Sequence, residues 1–204
     1  MKQESETKRK LLDTAMELIW ESSYGSVSVD DICTKAGVNK GSFYYAFKSK
    51  SDLAVAAFER FWDSKQPLLD QIFSSQLPPL ERLNKYFNGI IQDQTEKYRS
   101  FGKVLGCPFC SLGSEQSTQD ENIRRKVEQM SARKIKYLES VVRDLAAEGL
   151  IESKDSRELA GELHFYVIGI LMQAKIENNL KSLDRLHCGA LRLLNVKQVC
   201  PAAA

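Results

Sequence analysis

Residues 29–53 read VDDICTKAGVNKGSFYYAFKSKSDL, and this stretch predicts two short helices joined by a tight turn. Ser28, followed three residues later by Asp31, is typical of a helix start. Gly37 lacks a Cβ and can make the abrupt turn that a helix-turn-helix requires. The residues expected to share the inner core are Ile32, Cys33, Ala36, Val38, Phe43 and Phe47. Cys33 is thus interpreted as a core residue and not as a sensor.

Local charge adds a second signal to this stretch. The chain carries a net charge of only +2, with 27% charged and 43% hydrophobic residues, which is the balance of a globular protein. Between Ile32 and Ser51, however, there are four lysines and no acidic residue. DNA phosphates attract such local positive charge. The alternative is a solvated face of a small helical subdomain, but the turn glycine and outward tyrosines favour DNA contact.

The remainder of the chain also predicts helices. Glycine (11 residues) and proline (5 residues) are scarce, and apolar residues recur at helical spacing without strand-like alternation. The longer helices are expected at Leu80–Tyr98, about Asp120–Glu148, Ser156–Asn178 and Leu183–Leu194. We therefore predict an all-α protein of about nine helices. A three-helix, helix-turn-helix domain (residues 1–50) precedes a larger helical domain (residues 51–204).

The sequence gives little sign of catalysis or of a cofactor. No Ser-His-Asp set, phosphate loop or paired-carboxylate pattern stands in a structural context that would support catalysis, so we expect no enzyme activity. Cys107-Pro108-Phe109-Cys110 allows a redox pair, half a zinc site or a buried helix that begins at Pro108. No second cysteine pair completes a zinc site, so no metal and no cofactor are expected. A redox helical protein and a helical protein-interaction module remain the alternative functions.

The longest apolar run has eight residues, too short to span a membrane, and no export signal is recognised at the polar N-terminus. We therefore expect a cytoplasmic protein with reduced cysteines and no membrane partner.

The helix at Ser156–Asn178 has two apolar stripes. Leu159, Leu163 and Val167 begin one stripe, which can serve the core of its own subunit. The opposite stripe needs another partner, although a central helix wrapped by its own chain is the alternative. We predict a homodimer through a four-helix bundle. The predicted interface residues are Phe165, Ile168, Met172, Ile176, Leu186, Ala190 and Leu194.

Residues 29–53 resemble the DNA-binding segment of the tetracycline-repressor (TetR) family of bacterial transcriptional regulators, with the turn glycine, K-G-S-F-Y-Y and F-x-x-K in order. The resemblance implies that Lys40–Phe47 lies in the major groove of double-stranded DNA. Ala46 departs from the family pattern, which often has histidine there, so one backbone contact is expected to be missing. The residues implied to contact DNA are Ser28, Lys40, Gly41, Ser42, Tyr44, Tyr45 and Lys50. Lys40, Gly41 and Ser42 would approach base edges, and the others would contact the backbone or thymine methyls.

The same resemblance implies a repressor that a small-molecule effector releases from a palindromic operator. It also implies a ligand cavity in the middle of the larger domain, although the aromatic residues there would equally make an ordinary core. The candidate ligand-binding residues are Trp62, Tyr86, Phe87, Phe101, Phe109, Met130, Tyr137 and Phe165. A thiol-based redox-sensing regulator using Cys107 and Cys110 is the alternative mechanism.

Overall fold

The computed structural model describes residues 5–153 and 155–197. Within these residues the chain is helical, without a strand, which confirms the all-α prediction. The α-helices are α1 (Glu6–Glu21), α2 (Val29–Ala36), α3 (Lys40–Ala46), α4 (Lys50–Ile72), α5 (Pro79–Phe101), α6 (Pro108–Gln116), α7 (Glu121–Ala147), α8 (Ser156–Glu177) and α9 (Arg185–Leu193). A short 3-10 helix, Leu180–Asp184, lies between α8 and α9. No helix in these ranges combines the length and the apolar character needed to cross a bilayer.

Helix α4 continues through Pro67, a residue that usually weakens a helix interior because it has no backbone N–H to donate. Its C-terminal end is anchored by Phe73, the buried residue that follows it. The Phe73 ring packs against Tyr86 and Tyr137 at centroid distances of 5.3 Å and 5.2 Å. This aromatic packing fixes the end of α4 against residues of α5 and α7.

The chain forms two compact units. The first comprises the residues up to Gln66 together with Pro108–Met130. In this unit Phe109, from α6, packs edge-on against Phe58 at 5.3 Å, in a core that α1 also enters. A Cβ added to Gly113 would come within 2.8 Å of a Val127 methyl, so α6 and α7 approach closely here. The predicted functional boundary after residue 50 stays a prediction, because these units are defined by packing alone.

The second unit comprises Pro67–Cys107 and the residues from Ser131 onward. Its interior is mostly aliphatic, but it also encloses a charged pair. Arg82 is 3% exposed, and its Nη2 lies 2.7 Å from Asp144 Oδ2, while its Nε donates to the Leu77 carbonyl at 2.8 Å. Both ends of the guanidinium group are therefore satisfied, as a buried cation requires. The fully buried residues of this unit include Leu83, Phe87, Leu138, Val141, Val142, Leu145, Ala160 and Leu163.

Candidate nucleic-acid interface

Helix α3 is held in place by its inner face. Phe43 is completely buried, and Phe47, just past the helix end, is 7% exposed. These rings meet Ile32 and Cys33 of α2 in the core, as predicted. Burial raises the pKa of the Cys33 thiol, which supports its interpretation as a core residue. A seven-residue helix is too short to be stable alone, so this packing is what makes α3 a rigid element.

The turn between α2 and α3 has the geometry that glycine supplies. Gly37 adopts φ +65° and ψ +37°, and its N–H donates to the Cys33 and Thr34 carbonyls. Both helices are also capped by side chains. The Ser28 hydroxyl accepts from the Asp31 N–H at 3.1 Å, and the Asp31 carboxylate accepts from the Ser28 N–H at 2.8 Å. The capping box inferred from the sequence is therefore confirmed.

Asn39 caps α3, a role that the sequence reasoning missed. Its Oδ1 accepts from the Ser42 N–H at 2.8 Å. The signal was available, because asparagine immediately before an apolar-periodic segment is a common N-cap. Gly41 fits the same cap closely, since a Cβ there would lie 3.3 Å from Asn39 Oδ1. Gly41 thus leaves room for the cap as well as for any group that approaches the helix from outside.

The outer face of α3 presents large polar and aromatic groups to solvent. Tyr45 is 95% exposed and Tyr44 is 58% exposed, although both are residues that proteins usually bury in part. Lys40 and Gly41 are exposed, and Ser42 is partly exposed. Five of the seven predicted DNA-contacting residues therefore lie on one accessible helix face.

Lys50 has a different environment from the one predicted for it. Its ammonium group donates to the Tyr24 and Val27 carbonyls at 2.9 Å each and lies 4.0 Å from the centre of the Tyr24 ring. Burial lowers the pKa of Lys50, and the charge of Glu115 partly opposes this shift. Because two of its three N–H donors are directed at backbone carbonyls of the protein, Lys50 is not included in the proposed interface. The Ser28 hydroxyl is likewise engaged, donating to Asp31 Oδ2 at 2.6 Å.

The local positive charge is smaller than the sequence window indicates. Lys35 Nζ lies 3.3 Å from a Glu17 carboxylate oxygen of α1, and Lys40 Nζ lies 2.8 Å from Asp30 Oδ1 of α2. Hydrogen bonding to Asp30, followed by its charge, raises the pKa of Lys40. Lys48 is exposed. Acidic partners from outside the window therefore neutralise much of the lysine charge.

The eight candidate ligand-binding residues are divided between the two units. Trp62, Phe109 and Met130 are buried in the first unit, where Phe109 is part of the aromatic core. The other five belong to the second unit. There Tyr86 lies between Phe73 and Phe87, at ring-centroid distances of 5.3 Å and 5.7 Å.

Tyr137 and Phe165, both in the second unit, differ in their hydrogen bonding and in their exposure to solvent. The Tyr137 hydroxyl donates to Asp70, and burial, reinforced by this hydrogen bond, raises the pKa of Tyr137 to about 12. Phe165 was also predicted to line the cavity, and this is corrected because its side chain is 64% exposed on the outer face of α8.

The residues predicted to form the dimer surface fall into an exposed set on α8 and a buried set in and just after α9. Phe165 and Ile176 are 64% and 71% exposed, and Ile168 and Met172 of the same stripe are partly exposed. The prediction for α9 needs correction: Leu186, Ala190 and Leu194 are at most 1% exposed within a single subunit. Leu186 and Ala190 in α9, and Leu194 just after it, face the core of their own subunit, whereas Leu191 and Leu193 are only partly buried.

Among the described residues, no disulfide joins Cys33, Cys107, Cys110 or Cys188. Lys134 Nζ lies 3.5 Å from Cys107 Sγ. Cys107 is buried immediately before α6, which begins at Pro108 as the helix interpretation of this motif predicts.

Sequence and structure comparisons identify the family. The family described as "Bacterial regulatory proteins, tetR family" matches residues 11–57, and "Tetracyclin repressor-like, C-terminal domain" matches residues 79–189. A Lactococcus lactis HTH-type transcriptional regulator in the lacX 3′ region is 28% identical over 181 residues, covering 87% of this chain and 88% of that protein. The Escherichia coli transcriptional repressor NemR is 26% identical over 184 residues, covering 89% and 90%.

A solved structure gives the same result. The regulatory protein TetR from Rhodobacter sphaeroides superimposes with a TM-score of 0.79 at 27% identity, covering 93% of this chain and 99% of that one. The family matches favour a regulator over the redox alternatives weighed for Cys107 and Cys110. Because the two matches include the helix-turn-helix and more than half of the chain, the protein belongs to the TetR family and is a DNA-binding transcriptional regulator.

Proposed function

We propose that the protein is a repressor that binds a palindromic operator as a homodimer, with α3 in the major groove, and that a small molecule releases it. The observation that carries the DNA part of this proposal is the division of α3 into two faces. Phe43 fixes the helix from behind, while Tyr45 is almost fully exposed and Tyr44, whose ring meets Phe43 edge-on at 5.0 Å, still leaves more than half of its side chain in solvent. The B-DNA major groove is wide enough to admit an α-helix.

The outward residues fit distinct parts of a duplex. Lys40, Gly41 and Ser42 occupy the first turn of α3, the part of a recognition helix that faces base edges. The ammonium group of Lys40 can donate to guanine O6 and N7, and the Ser42 hydroxyl can donate or accept. The Tyr44 and Tyr45 hydroxyls can donate to phosphates, and their rings can contact sugars or thymine methyls.

The outer stripe of α8 supports the dimer. Phe165 and Ile176 are among the few large apolar side chains that a single subunit leaves mostly exposed in the described residues, and Ile168 and Met172 connect them along one helix face. A continuous apolar stripe of this kind favours burial against a second copy. The dimer also places two α3 helices on one DNA molecule, which requires an inverted repeat.

The effector proposal rests on the second unit. Its interior combines the aromatic cluster of Phe73, Tyr86 and Tyr137 with the buried polar residue His164. His164 Nδ1 has no hydrogen-bond partner within the described residues, and a ligand that supplied one would gain affinity. NemR and DhaR are described as transcriptional repressors, which supports repression as the direction of control.

Selection of bound sites from random duplexes tests the DNA proposal and the dimer together. We expect an inverted repeat, followed by at least ten-fold weaker binding of the selected site by Tyr45→Ala in fluorescence anisotropy, since hydroxyl and ring contacts would both be lost. Tyr98→Ala, at an exposed tyrosine of α5, is the matched control and should bind normally. Equal affinities of both variants for the selected site would refute the placement of α3 in the groove.

Sedimentation tests the dimer surface directly. Ile176→Glu places a charge on the outer stripe of α8 and should shift the protein to monomers at micromolar concentration. Leu68→Glu changes another exposed apolar residue, on α4, and should remain dimeric. A dimer that survives Ile176→Glu combined with Phe165→Glu would exclude this stripe as the interface.

A further inference from the structure

The ion pair between Asp30 and Lys40 joins the first turns of α2 and α3 at the surface proposed to face DNA. Lys40 Nζ lies 2.8 Å from Asp30 Oδ1, and both side chains are exposed, at 56% and 62%. Exposed pairs of this kind contribute little to stability, because water and salt screen them and two side chains must be immobilised. Stability therefore does not explain why an acidic residue is placed against the first residue of the recognition helix.

The pair changes what Lys40 can do near a duplex. A free lysine attracts any phosphate, without regard to sequence, and this attraction supplies most nonspecific affinity. A lysine paired with a carboxylate forms a unit with no net charge. When this unit approaches a phosphate, few of the counterions bound to the DNA are released. The carboxylate itself would be repelled by the DNA backbone. Specific DNA can compensate only by offering Lys40 a correctly placed acceptor at a base edge.

We propose that Asp30 is a specificity-determining residue, which holds Lys40 at the base edges and suppresses its attraction to phosphates. It acts through Lys40 and is thus a positioning residue. The inference rests on the proposed placement of α3 in the major groove. It goes further by assigning a function in sequence discrimination to an acidic residue, a residue type that bulk electrostatics would count as unfavourable for DNA binding.

Asp30→Asn tests the proposal, because asparagine keeps the shape of the side chain and removes its charge. Affinity for a random duplex should rise about five- to ten-fold at 0.1 M salt, and the slope of log affinity against log salt should steepen by about 0.9, equivalent to one added phosphate contact. Affinity for the selected operator should rise less, so the ratio of specific to random affinity falls. Circular dichroism would establish that the variant is folded.

Asp13→Asn is the matched control, since Asp13 is an exposed carboxylate of the same unit and its Oδ1 lies 2.9 Å from Arg60 Nε. It changes net charge by the same amount and should leave both the salt slope and the specificity ratio unchanged. Lys40→Ala should abolish the effect of Asp30→Asn, because the freed cation is then missing.

The possible outcomes distinguish the role of Asp30 from the proposed DNA binding by α3. An unchanged salt slope and specificity ratio in Asp30→Asn, with normal operator selection by the unaltered protein, would overturn the role of Asp30 alone. An equal rise in random-duplex affinity for Asp13→Asn would overturn it too, by showing a general charge effect. Failure of the unaltered protein to prefer any duplex sequence would instead refute the proposed placement of α3.

Discussion

His164 is expected to make the protein sensitive to mild acid. This residue of α8 is 2% exposed, and its Nε2 lies 3.0 Å from Ser131 Oγ. Burial, with a smaller contribution from the charge of Lys134, lowers the pKa of His164 from 6.5 to about 4. The folded protein thus keeps His164 neutral in a pH range where the unfolded chain would bind a proton there.

The sign and size of the effect follow from this difference. Because the unfolded chain binds the proton more tightly, the free energy of unfolding falls as pH decreases from 6.5 towards 4 and levels off below that range. At 1.36 kcal/mol for each pKa unit, the complete loss is about 3 kcal/mol. The loss relative to neutral pH is about 1 kcal/mol at pH 5.5 and between about 2 and 3 kcal/mol at pH 4.5.

Urea unfolding at a fixed protein concentration measures this loss. The reference is the double variant Ser131→Ala with His164→Leu, which removes the proton site and leaves no unpaired hydroxyl. The stability of the unaltered protein relative to this variant should fall by about 1 kcal/mol between pH 7.5 and pH 5.5. Ser131→Ala alone keeps the imidazole and should retain the pH dependence. An identical pH dependence in the double variant and the unaltered protein would refute the reasoning.

Four further substitutions test the structure by chemical denaturation. Gly37→Ala should lower the free energy of unfolding by about 1 kcal/mol, because φ is +65° at this position. Gly89→Ala, in open space within α5, should instead raise the free energy of unfolding by about 0.5 kcal/mol. A Gly37→Ala variant with unchanged stability would contradict the turn geometry. Asp144→Asn should lower the free energy of unfolding by about 3 kcal/mol, because it leaves buried Arg82 without its counter-charge. A loss below about 1 kcal/mol would show that water replaces the carboxylate. Glu115→Gln should lower the free energy of unfolding by about 1 to 2 kcal/mol, because the Glu115 carboxylate accepts hydrogen bonds from two backbone N–H groups of the α1–α2 loop. An unchanged denaturation midpoint would mean that the loop does not need this contact.

The helical architecture was predictable because its determinants are local. Apolar periodicity, the Ser28 and Asp31 capping pair, and the glycine at position 37 each depend on residues within a few positions of one another. Such signals locate helices and their ends without knowledge of the tertiary structure. Helix α6 was recoverable for the same reason, since Pro108 is a favourable first residue.

The roles of individual side chains were harder to predict because their partners are distant in sequence. Lys50 was counted as a cation available to DNA, but carbonyls 23 and 26 residues earlier in the chain accept its hydrogen bonds. Lys40 was expected to approach base edges, and its acidic partner, which lies on the preceding helix, was not anticipated. The burial of Leu186 also depends on the tertiary structure, because α9 carries apolar residues on more than one side and packing decides which of them face inward.

The shortness of α3 has a consequence for genetics. Because seven residues hold their helical shape only while Phe43 is buried, substitutions behind the helix should abolish regulation as completely as substitutions on its outer face. A screen for derepressed colonies would return both kinds of allele. Only those at outward positions such as Tyr45 should accumulate at normal levels and interfere with the unaltered subunits of a heterozygous cell.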